Sequence, residues 1–338
     1  MRNPSLAGVC VALLFCVLHA APAAEPAENV LRVGIIGLDT SHVIAFTNLI
    51  NDPKAEGVFA EVDVVAGFPG GVDDNPASYE RVGKFTEQLR ERGLAIYDSI
   101  EAMLPHVDAV LLESVDGRPH LEQARPVIAA GKPLFIDKPM AASLADVLEI
   151  FRLAEEAGVP CFSSSSLRFG SGVQAMRNDS PVGDIRGCDV YGPCSLEEHH
   201  PDLFWYGVHG VEMLFTVMGA GCKTVTCVET QGTHFVVGVW EDGRIGTFRG
   251  IRDGKSGYSA TVFGAKAIAP GGSHEGYQPL VEQICRFFKT GVVPVPKEET
   301  IEMFAFMEAA DESTRQGGRP VAIADVIEKA NQNRAAGN

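Results

Sequence analysis

The chain is poor in basic residues. Its 338 residues include 28 Lys and Arg against 44 Asp and Glu, which gives a formal net charge of −16. A surface of this charge repels nucleic acid and anionic lipid, so the composition argues against proteins that bind either through basic patches. We therefore expect a small-molecule ligand and no nucleic-acid partner.

Several catalytic and metal-binding motifs are also missing. The sequence has no C-x-x-C, no H-E-x-x-H, no G-x-S-x-G and no P-loop. A thiolate zinc site, a zincin-type helix, a nucleophile elbow and a P-loop phosphate site are therefore not indicated. We predict no metal. The alternative is a metal enzyme using His199, His200, Asp202 and His209, although adjacent histidines point in different directions.

Long apolar runs are absent beyond the N-terminus. Arg2 precedes an apolar stretch from Leu6 to Ala20, which is too short to span a bilayer comfortably, and Ala21-Pro-Ala23 is a small-residue cleavage pattern. We predict a Sec signal peptide over residues 1–23 and an exported protein, periplasmic or extracellular. An uncleaved membrane anchor is the alternative, and we expect no stable membrane insertion after cleavage.

Cysteines are few after this leader. Two of the eight leave with it, and the remaining six are Cys161, Cys188, Cys194, Cys222, Cys227 and Cys285. An even number in an exported protein permits disulfides, whereas the apolar contexts of Cys161 and Cys285 favour buried thiols. The sequence leaves the pairing open.

The best-defined segment that is present runs from Leu31 to Ile50. Its apolar, β-branched start ends at Gly37, polar turn residues follow, and Val43 begins an apolar-periodic stretch. This order predicts the strand–turn–helix that opens a dinucleotide-binding fold, where glycines admit a pyrophosphate and the helix N-terminus binds it. The G-x-G-x-x-G fingerprint is incomplete, because Asp39 and His42 replace its second and third glycines.

Strands and helices alternate up to residue 162. A second strand, Glu61 to Ala66, lacks the acidic residue that usually holds the ribose, and a buried strand at Asp108–Leu112 follows. The alternation predicts a doubly wound, Rossmann-type parallel sheet over residues 30–162. Consecutive strands with tight turns, such as Asp242-Gly243, predict an α+β domain with a mainly antiparallel sheet over 163–326. The fold class is therefore α/β, and we expect a frayed polar tail over 327–338.

Residues with useful chemistry follow the predicted parallel strands. Asp137, Lys138 and Pro139 come directly after the strand Pro133–Ile136, and His120 follows the loop after Leu112. Ligands bind at this carboxyl edge in open α/β sheets, so Lys138 is a candidate for contacting a substrate hydroxyl. A solvated loop lysine is the alternative.

A second group of candidates lies between residues 163 and 218. We predict a helix from about Asp202 to Met218, with His209 and Glu212 on one face, and histidine suits general-base work near neutrality. A core histidine is the alternative. Arg168 could hold a carboxylate or form an interdomain salt bridge, and we propose as substrate residues Arg168, His200, Asp202, Trp205 and Tyr206.

Taken together, the order of these motifs resembles the Gfo/Idh/MocA family (glucose–fructose oxidoreductase, inositol dehydrogenase and MocA). The resemblance covers roughly residues 31–326. It is carried by the opening strand, by the His120 loop and by Lys138-Pro139, which matches the family's Glu-Lys-Pro. Three later segments also match: Pro181-Val-Gly-Asp-Ile185, Gly207-Val-His209-Gly-Val-Glu212 and the segment from Pro294 to Val321.

The resemblance implies a tightly bound NAD or NADP and a sugar, sugar acid or polyol substrate. By it, Lys138 would bind the reacting hydroxyl, Pro139 would follow a cis peptide, His209 would take the proton and Glu212 would replace the family's aspartate. It also implies a dimer or tetramer. The predicted catalytic residues are Lys138, His209 and Glu212, and the cofactor-binding residues are Gly37, Asp39, Thr40, Ser41, His42, His120 and Asp137.

Three functions remain open at this point. The first is an exported NAD(P)-dependent oxidoreductase, the second a glycoside hydrolase or lyase that uses bound NAD without net redox change. The third is a carbohydrate-binding protein that has lost the nucleotide. The damaged fingerprint favours the third, and the retention of Lys138, His209 and Glu212 in register favours the first two.

Overall fold

The computed structural model describes residues 30–336. The predicted signal peptide over residues 1–23 lies outside this range. Within the described residues, no helix has both the length and the apolar character needed to cross a bilayer.

The first domain is built on a six-stranded parallel sheet of order β3-β2-β1-β4-β5-β6. This is the strand order of a dinucleotide-binding fold, and it confirms the predicted doubly wound sheet. Its elements are β1 (Leu31–Ile36), α1 (Ser41–Ile50), β2 (Val62–Phe68), α2 (Pro76–Tyr79), α3 (Val82–Glu91), β3 (Ala95–Ile96), α4 (Ile100–Met103), β4 (Ala109–Leu112), α5 (His120–Ala129), β5 (Leu134–Ile136), α6 (Leu144–Ala157) and β6 (Cys161–Ser163).

Local capping fixes where the helices of this domain begin and end. The hydroxyl of Thr40 accepts a hydrogen bond from the His42 N–H, so α1 begins beside the turn after β1. Ser143 caps the start of α6, as predicted: its hydroxyl accepts from the Asp146 N–H and donates to the Asp146 carboxylate, which replaces the reciprocal backbone contact of a full capping box. Gly158 ends that helix in a left-handed conformation.

The second domain is built on a seven-stranded sheet of order β12-β11-β7-β10-β9-β8-β13. All neighbours pair antiparallel except β7 and β10, so the predicted mainly antiparallel sheet is confirmed. The elements are α7 (Ser171–Asn178), β7 (Ile185–Pro193), α8 (Val208–Met218), β8 (Cys222–Thr230), β9 (Thr233–Trp240), β10 (Ile245–Ile251), β11 (Ser259–Gly264), β12 (Ile268–Pro270), α9 (Gln278–Thr290), α10 (Lys297–Arg315), β13 (Val321–Ala322) and α11 (Ile323–Ala336).

Helix α9 crosses back to the first domain. Its buried residues, including Ile284 and Phe287, belong to the same apolar cluster as Val33 and Ile35 of β1. One face of the parallel sheet is therefore covered partly by a helix that lies beyond residue 163 in the sequence.

Two predicted elements differ from the structure. Helix α8 begins at Val208 rather than Asp202, because the Val208 N–H donates to the Leu203 carbonyl, five residues back, and regular helical pairing starts only afterwards. The prediction of a frayed tail is also wrong, because α11 is helical to Ala336. Its apolar residues Val326 and Ala330 are buried in the core cluster that includes residues of α6.

The six cysteines outside the predicted leader are all buried free thiols. Burial raises the pKa of Cys161 and of Cys285 to about 12, so these thiols remain protonated. The two thiols predicted to be buried are buried, and no disulfide joins residues within 30–336.

Candidate active site

A cavity of about 410 Å³ lies at the carboxyl edge of the parallel sheet, against the second domain. This volume is in the range of small-molecule sites, about 300–1,000 Å³. The turn after β1 and the loops after β4, β5 and β6 form one side, and the start of α8 forms the other. The lining residues include Thr40, Ser41, His42, Arg81, Val115, Lys138, Ser166, Trp205, Tyr206, His209, Tyr258, His274 and Tyr277.

Lys138 and His209 line this cavity together, although 71 residues separate them in the sequence. The Lys138 ammonium lies 5.7 Å from the centre of the Tyr206 ring, and the His209 ring centre lies 5.4 Å from the same ring. Burial lowers the pKa of Lys138 despite the opposing charges of Asp137 and Glu113. The Lys138–Pro139 peptide bond is cis.

His209 is held by a hydroxyl rather than by a carboxylate. Its Nδ1 lies 2.7 Å from Ser165 Oγ. Burial first, and then the charge of Lys138, hold the pKa of His209 well below its usual range. The ring is therefore neutral near pH 7.

His42 contacts a carboxylate on the neighbouring loop. Its Nδ1 lies 2.6 Å from Asp137 Oδ2, and both side chains are almost fully buried. Burial opposes the charged form of Asp137, but His42 and Lys138 outweigh it and lower the pKa of Asp137. Behind this pair, both carboxyl oxygens of Glu113 are buried without a hydrogen-bond partner among the described residues.

The cluster of His42, Glu113 and Asp137 has atoms that could ligate a metal, all within 4.8 Å of one another. The 2.6 Å contact between His42 and Asp137 is already a hydrogen bond, and the Lys138 ammonium supplies the nearby positive charge. This hydrogen bond accounts for the contact between His42 and Asp137.

Glu212 and Arg168 bind each other and do not line the cavity. The Arg168 guanidinium contacts the carboxylates of Glu212 and Glu299, and both Arg168 and Glu212 are almost fully buried. Arg168 therefore forms salt bridges, but its partners belong to its own domain, so the interdomain salt bridge considered from the sequence is not the one observed. The charge of Glu212 is balanced by Arg168.

Three further candidates are engaged elsewhere. His120 is buried between the carbonyls of Ser114 and Met140. His200 Nε2 accepts from the Gly117 N–H, and its Nδ1 contacts Glu197. Asp202 lies 3.3 Å from His234 Nε2. Of the predicted substrate residues, only Trp205 and Tyr206 line the cavity.

The turn after β1 has the geometry of a close backbone approach. Gly37 has φ +84°, and a Cβ at this position would lie 2.3 Å from the Ser114 nitrogen. The Asp39 carboxylate accepts hydrogen bonds from Ser78 Oγ at 2.6 Å and from the Val115 N–H at 2.8 Å. Asp39 therefore neither caps α1 nor faces its N-terminus, and burial raises the pKa of this carboxyl.

Residues 31–165 match the family model for Gfo/Idh/MocA proteins, described as an oxidoreductase family with an NAD-binding Rossmann fold. Over these residues the first domain is similar to the Gfo/Idh/MocA oxidoreductases. This confirms the resemblance seen in the sequence, and the family description agrees with the predicted NAD or NADP cofactor.

Curated relatives match this chain over part of their length. A 1,5-anhydro-D-fructose reductase from Ensifer adhaerens is 37% identical over 89 residues, which is 26% of each protein. An uncharacterised oxidoreductase from Streptococcus pneumoniae is 25% identical over 169 residues, 43% of this chain and 45% of the relative. The matches therefore span less than half of these relatives.

Solved structures show that the whole two-domain fold is shared. A scyllo-inositol dehydrogenase from Lactobacillus casei with bound NAD(H) and scyllo-inositol superposes with a TM-score of 0.71 at 14% identity, covering 87% of this chain and 99% of that one. GenD2 from gentamicin A biosynthesis, in complex with NAD, gives 0.70 at 17% identity, covering 90% and 99%.

The first domain fits the phosphates of a dinucleotide at the start of α1 better than it fits the ribose at the end of β2. Helix α1 has no acidic residue in its first turn, and Thr40 and Ser41 line the cavity beside it, so an anion there meets hydroxyls and the positive helix end. Asp39 does not oppose this, because its carboxylate faces Ser78. At the end of β2 no acid is present, and the Pro69 carbonyl accepts from the Leu38 N–H.

Several residues that line the cavity, and Glu113 behind the His42–Asp137 pair, were not identified from the sequence. Glu113 directly follows β4, so the carboxyl-edge rule that selected Lys138 would also have selected it. Arg81 comes from the start of α3, and the other three, Tyr258, His274 and Tyr277, come from loops. Nothing in their local sequence places these four residues beside Lys138.

Proposed function

We propose that the chain is an exported NAD(P)-dependent oxidoreductase that oxidises a hydroxyl-bearing carbon of a sugar, sugar acid or polyol. The observation that carries this proposal is the convergence of Lys138 and His209 on one cavity beside the N-terminus of α1. When bound, NAD(P)⁺ supplies the acceptor for the hydride that leaves the carbon. Thr40, Ser41 and the first turn of α1 would hold its phosphates.

Lys138 would bind the reacting hydroxyl. Its ammonium is enclosed by the cavity and by the Tyr206 ring, so a hydrogen bond from it to an alkoxide-like oxygen would be strong. Trp205 and Tyr206 offer aromatic faces for a sugar ring. Two imidazoles, His42 and His209, are available to take the proton.

The cavity favours an anionic substrate. None of its described lining residues is acidic, whereas Lys138, Arg81 and three histidines contribute nitrogen atoms. Among the three substrate classes, we therefore place a sugar acid first, because a carboxylate would be attracted to these groups.

The test is an activity assay on the protein purified from its exported form. Neutral sugars, sugar acids and polyols are supplied as substrates with an electron acceptor, since a tightly bound cofactor must be reoxidised. We expect oxidation of a sugar acid, and we expect Lys138→Ala to lower kcat about 10²–10³-fold. Lys84→Ala, on the exposed side of α3, is the matched control and should leave kcat unchanged.

Other outcomes would identify the alternatives. Cleavage of aryl glycosides without net oxidation would favour the hydrolase or lyase. Sugar binding without turnover or nucleotide would favour the binding protein. Export is tested separately by cell fractionation and by N-terminal sequencing, which should find a chain that starts near residue 24.

A further inference from the structure

His42 occupies the position of the third fingerprint glycine, yet its side chain is built into the site. His42 lies in the first turn of α1, and Asp137 directly follows β5. Because β1, β4 and β5 are successive strands of the sheet, His42 and Asp137 lie close together at its carboxyl edge. A carboxylate oxygen can only accept, so the 2.6 Å contact places the proton of the neutral imidazole on Nδ1. Nε2 is left as the acceptor.

Nε2 of His42 is available to a ligand. His42 lines the cavity that Lys138 lines, and Nε2 has no hydrogen-bond partner within residues 30–336. The ring is fixed by the edge of Tyr277, with ring centres 4.7 Å apart, and by stacking on Phe46. A fixed imidazole with a free Nε2 and a carboxylate on Nδ1 is the arrangement of a general base.

His209 is less suited to accept a proton. A proton on His209 would place a second positive charge beside Lys138 with no carboxylate to balance it, because Glu212 is bound to Arg168. A proton on His42 would be balanced by Asp137. The surrounding charges therefore favour His42.

The other titratable groups that face His42 are Glu113, Lys138, Tyr277 and His209. Burial, and then the charge of Asp137, raise the pKa of Glu113 well above its usual range, which favours its neutral form. Burial raises the pKa of the Tyr277 hydroxyl, which stays neutral. Asp137 is then the single negative charge at the pair, beside the ammonium of Lys138.

We propose that His42, oriented by Asp137, takes the proton from the substrate hydroxyl that Lys138 holds, in place of His209. This inference rests on the proposed function. In the step, the hydroxyl proton passes to Nε2, the carbon–hydrogen electron pair leaves as hydride to the oxidised nicotinamide, and the carbon–oxygen double bond forms. Asp137 is a positioning residue that fixes the tautomer and balances the imidazolium.

The tautomer can be measured without substrate or turnover. Protein labelled with ¹⁵N-histidine and treated with EDTA is studied by NMR near pH 8, and His42→Gln identifies the resonances of His42. We expect a protonated Nδ1 and an unprotonated Nε2, and we expect Asp137→Asn to change this state. An Nε2-protonated ring in the wild-type protein, or a His42 signal that appears only with added Zn²⁺, would overturn the proposal.

Kinetics separate the two histidines. We expect His42→Ala to lower kcat about 10²–10⁴-fold, with partial rescue by added imidazole. His209→Ala should raise KM more than it lowers kcat. A His42→Ala enzyme that turns over like the wild type, beside an inactive His209→Ala enzyme, would assign the base to His209 and overturn the proposal.

Failure of the proposed function has a different signature. If the wild-type protein shows no NAD(P)-linked oxidation of any substrate class, the oxidoreductase proposal falls and the catalytic role of His42 falls with it, whatever the tautomer. An active wild-type enzyme with an active His42→Ala variant rejects the role of His42 alone.

Discussion

At the scale of single residues, Asp39 shows how a broken fingerprint can leave its site usable. An aspartate in the place of the second glycine should repel a pyrophosphate. In the structure the carboxylate instead joins the loop after β4 to Ser78 of α2, and it is buried away from the first turn of α1. The conflict expected from the sequence is therefore removed by the direction of one side chain.

Asp311 offers a stability test at the same scale. It is buried in α10 beside a separate cavity of about 440 Å³ between α10 and α11, and its Oδ1 lacks a hydrogen-bond partner among the described residues. Burial, and then the charge of Asp202, raise the pKa of Asp311 to about 7. The unfolded chain releases this proton near pH 4, so the stability contributed by the protonated form is lost as pH rises from about 4 to about 7.

We therefore expect Asp311→Asn to raise Tm by several degrees at pH 8 and to change it little at pH 4. Thermal unfolding followed by circular dichroism at both pH values measures the difference. A variant with the same Tm difference from wild type at both pH values would show that the Asp311 charge does not matter.

The sequence identified individual site residues better than their partners. Lys138 was placed at the cavity because the carboxyl ends of parallel strands share one edge of a sheet, a rule of topology. The pairs His42–Asp137 and Arg168–Glu212 join residues 95 and 44 positions apart. Their contacts depend on side-chain directions and packing that no local pattern determines.

At the scale of elements, the contact between α8 and β10 depends on Gly210. This glycine faces the sheet, and a Cβ at its position would lie 2.1 Å from the buried ring of Phe248. His209 is the adjacent residue on α8, so this packing also fixes where the His209 ring enters the cavity.

We expect Gly210→Ala to destabilise the protein by about 1–3 kcal/mol, because the extra methyl overfills a packed core. Gly83→Ala in α3 is the matched control. No atom lies within 4 Å of a Cβ at Gly83, so alanine should stabilise that helix by about 0.5–1 kcal/mol. Denaturant unfolding measures the change in the free energy of unfolding for each variant. Equal changes in Gly210→Ala and Gly83→Ala would contradict the packing described for α8.

Element boundaries were predictable where a cap or a periodic pattern was local. The Ser143 cap of α6 and the Asp242-Gly243 turn between β9 and β10 lie where the sequence predicted them. The start of α8 could not be predicted, because it depends on a turn in which the Val208 N–H donates to the carbonyl five residues back. The position of α9 could not be predicted either, because it depends on packing against the sheet of the first domain.

At the scale of the whole molecule, the second sheet has one face on α8 and α10 and another that retains exposed apolar side chains. The exposed residues include Tyr191, Val228, Val239 and Ile245. Such a face is typical of a surface that pairs with another copy. We therefore propose that the protein is a dimer or tetramer in solution.

Light scattering on the purified protein measures the assembly directly. We expect a mass of at least two chains, and we expect Val228→Glu with Ile245→Lys to shift it toward the monomer while the circular dichroism spectrum stays unchanged. A wild-type protein that is monomeric at micromolar concentration would reject the proposed pairing.

The central claim is that the first domain still holds a nicotinamide dinucleotide beside Lys138 and His42. Native mass spectrometry of the purified protein, with analysis of what denaturation releases, tests it most directly. We expect one NAD(H) or NADP(H) per chain, or binding on titration if the nucleotide is lost in purification. A protein that carries neither nucleotide and binds neither on titration would contradict the account and leave a carbohydrate-binding protein on a dehydrogenase fold.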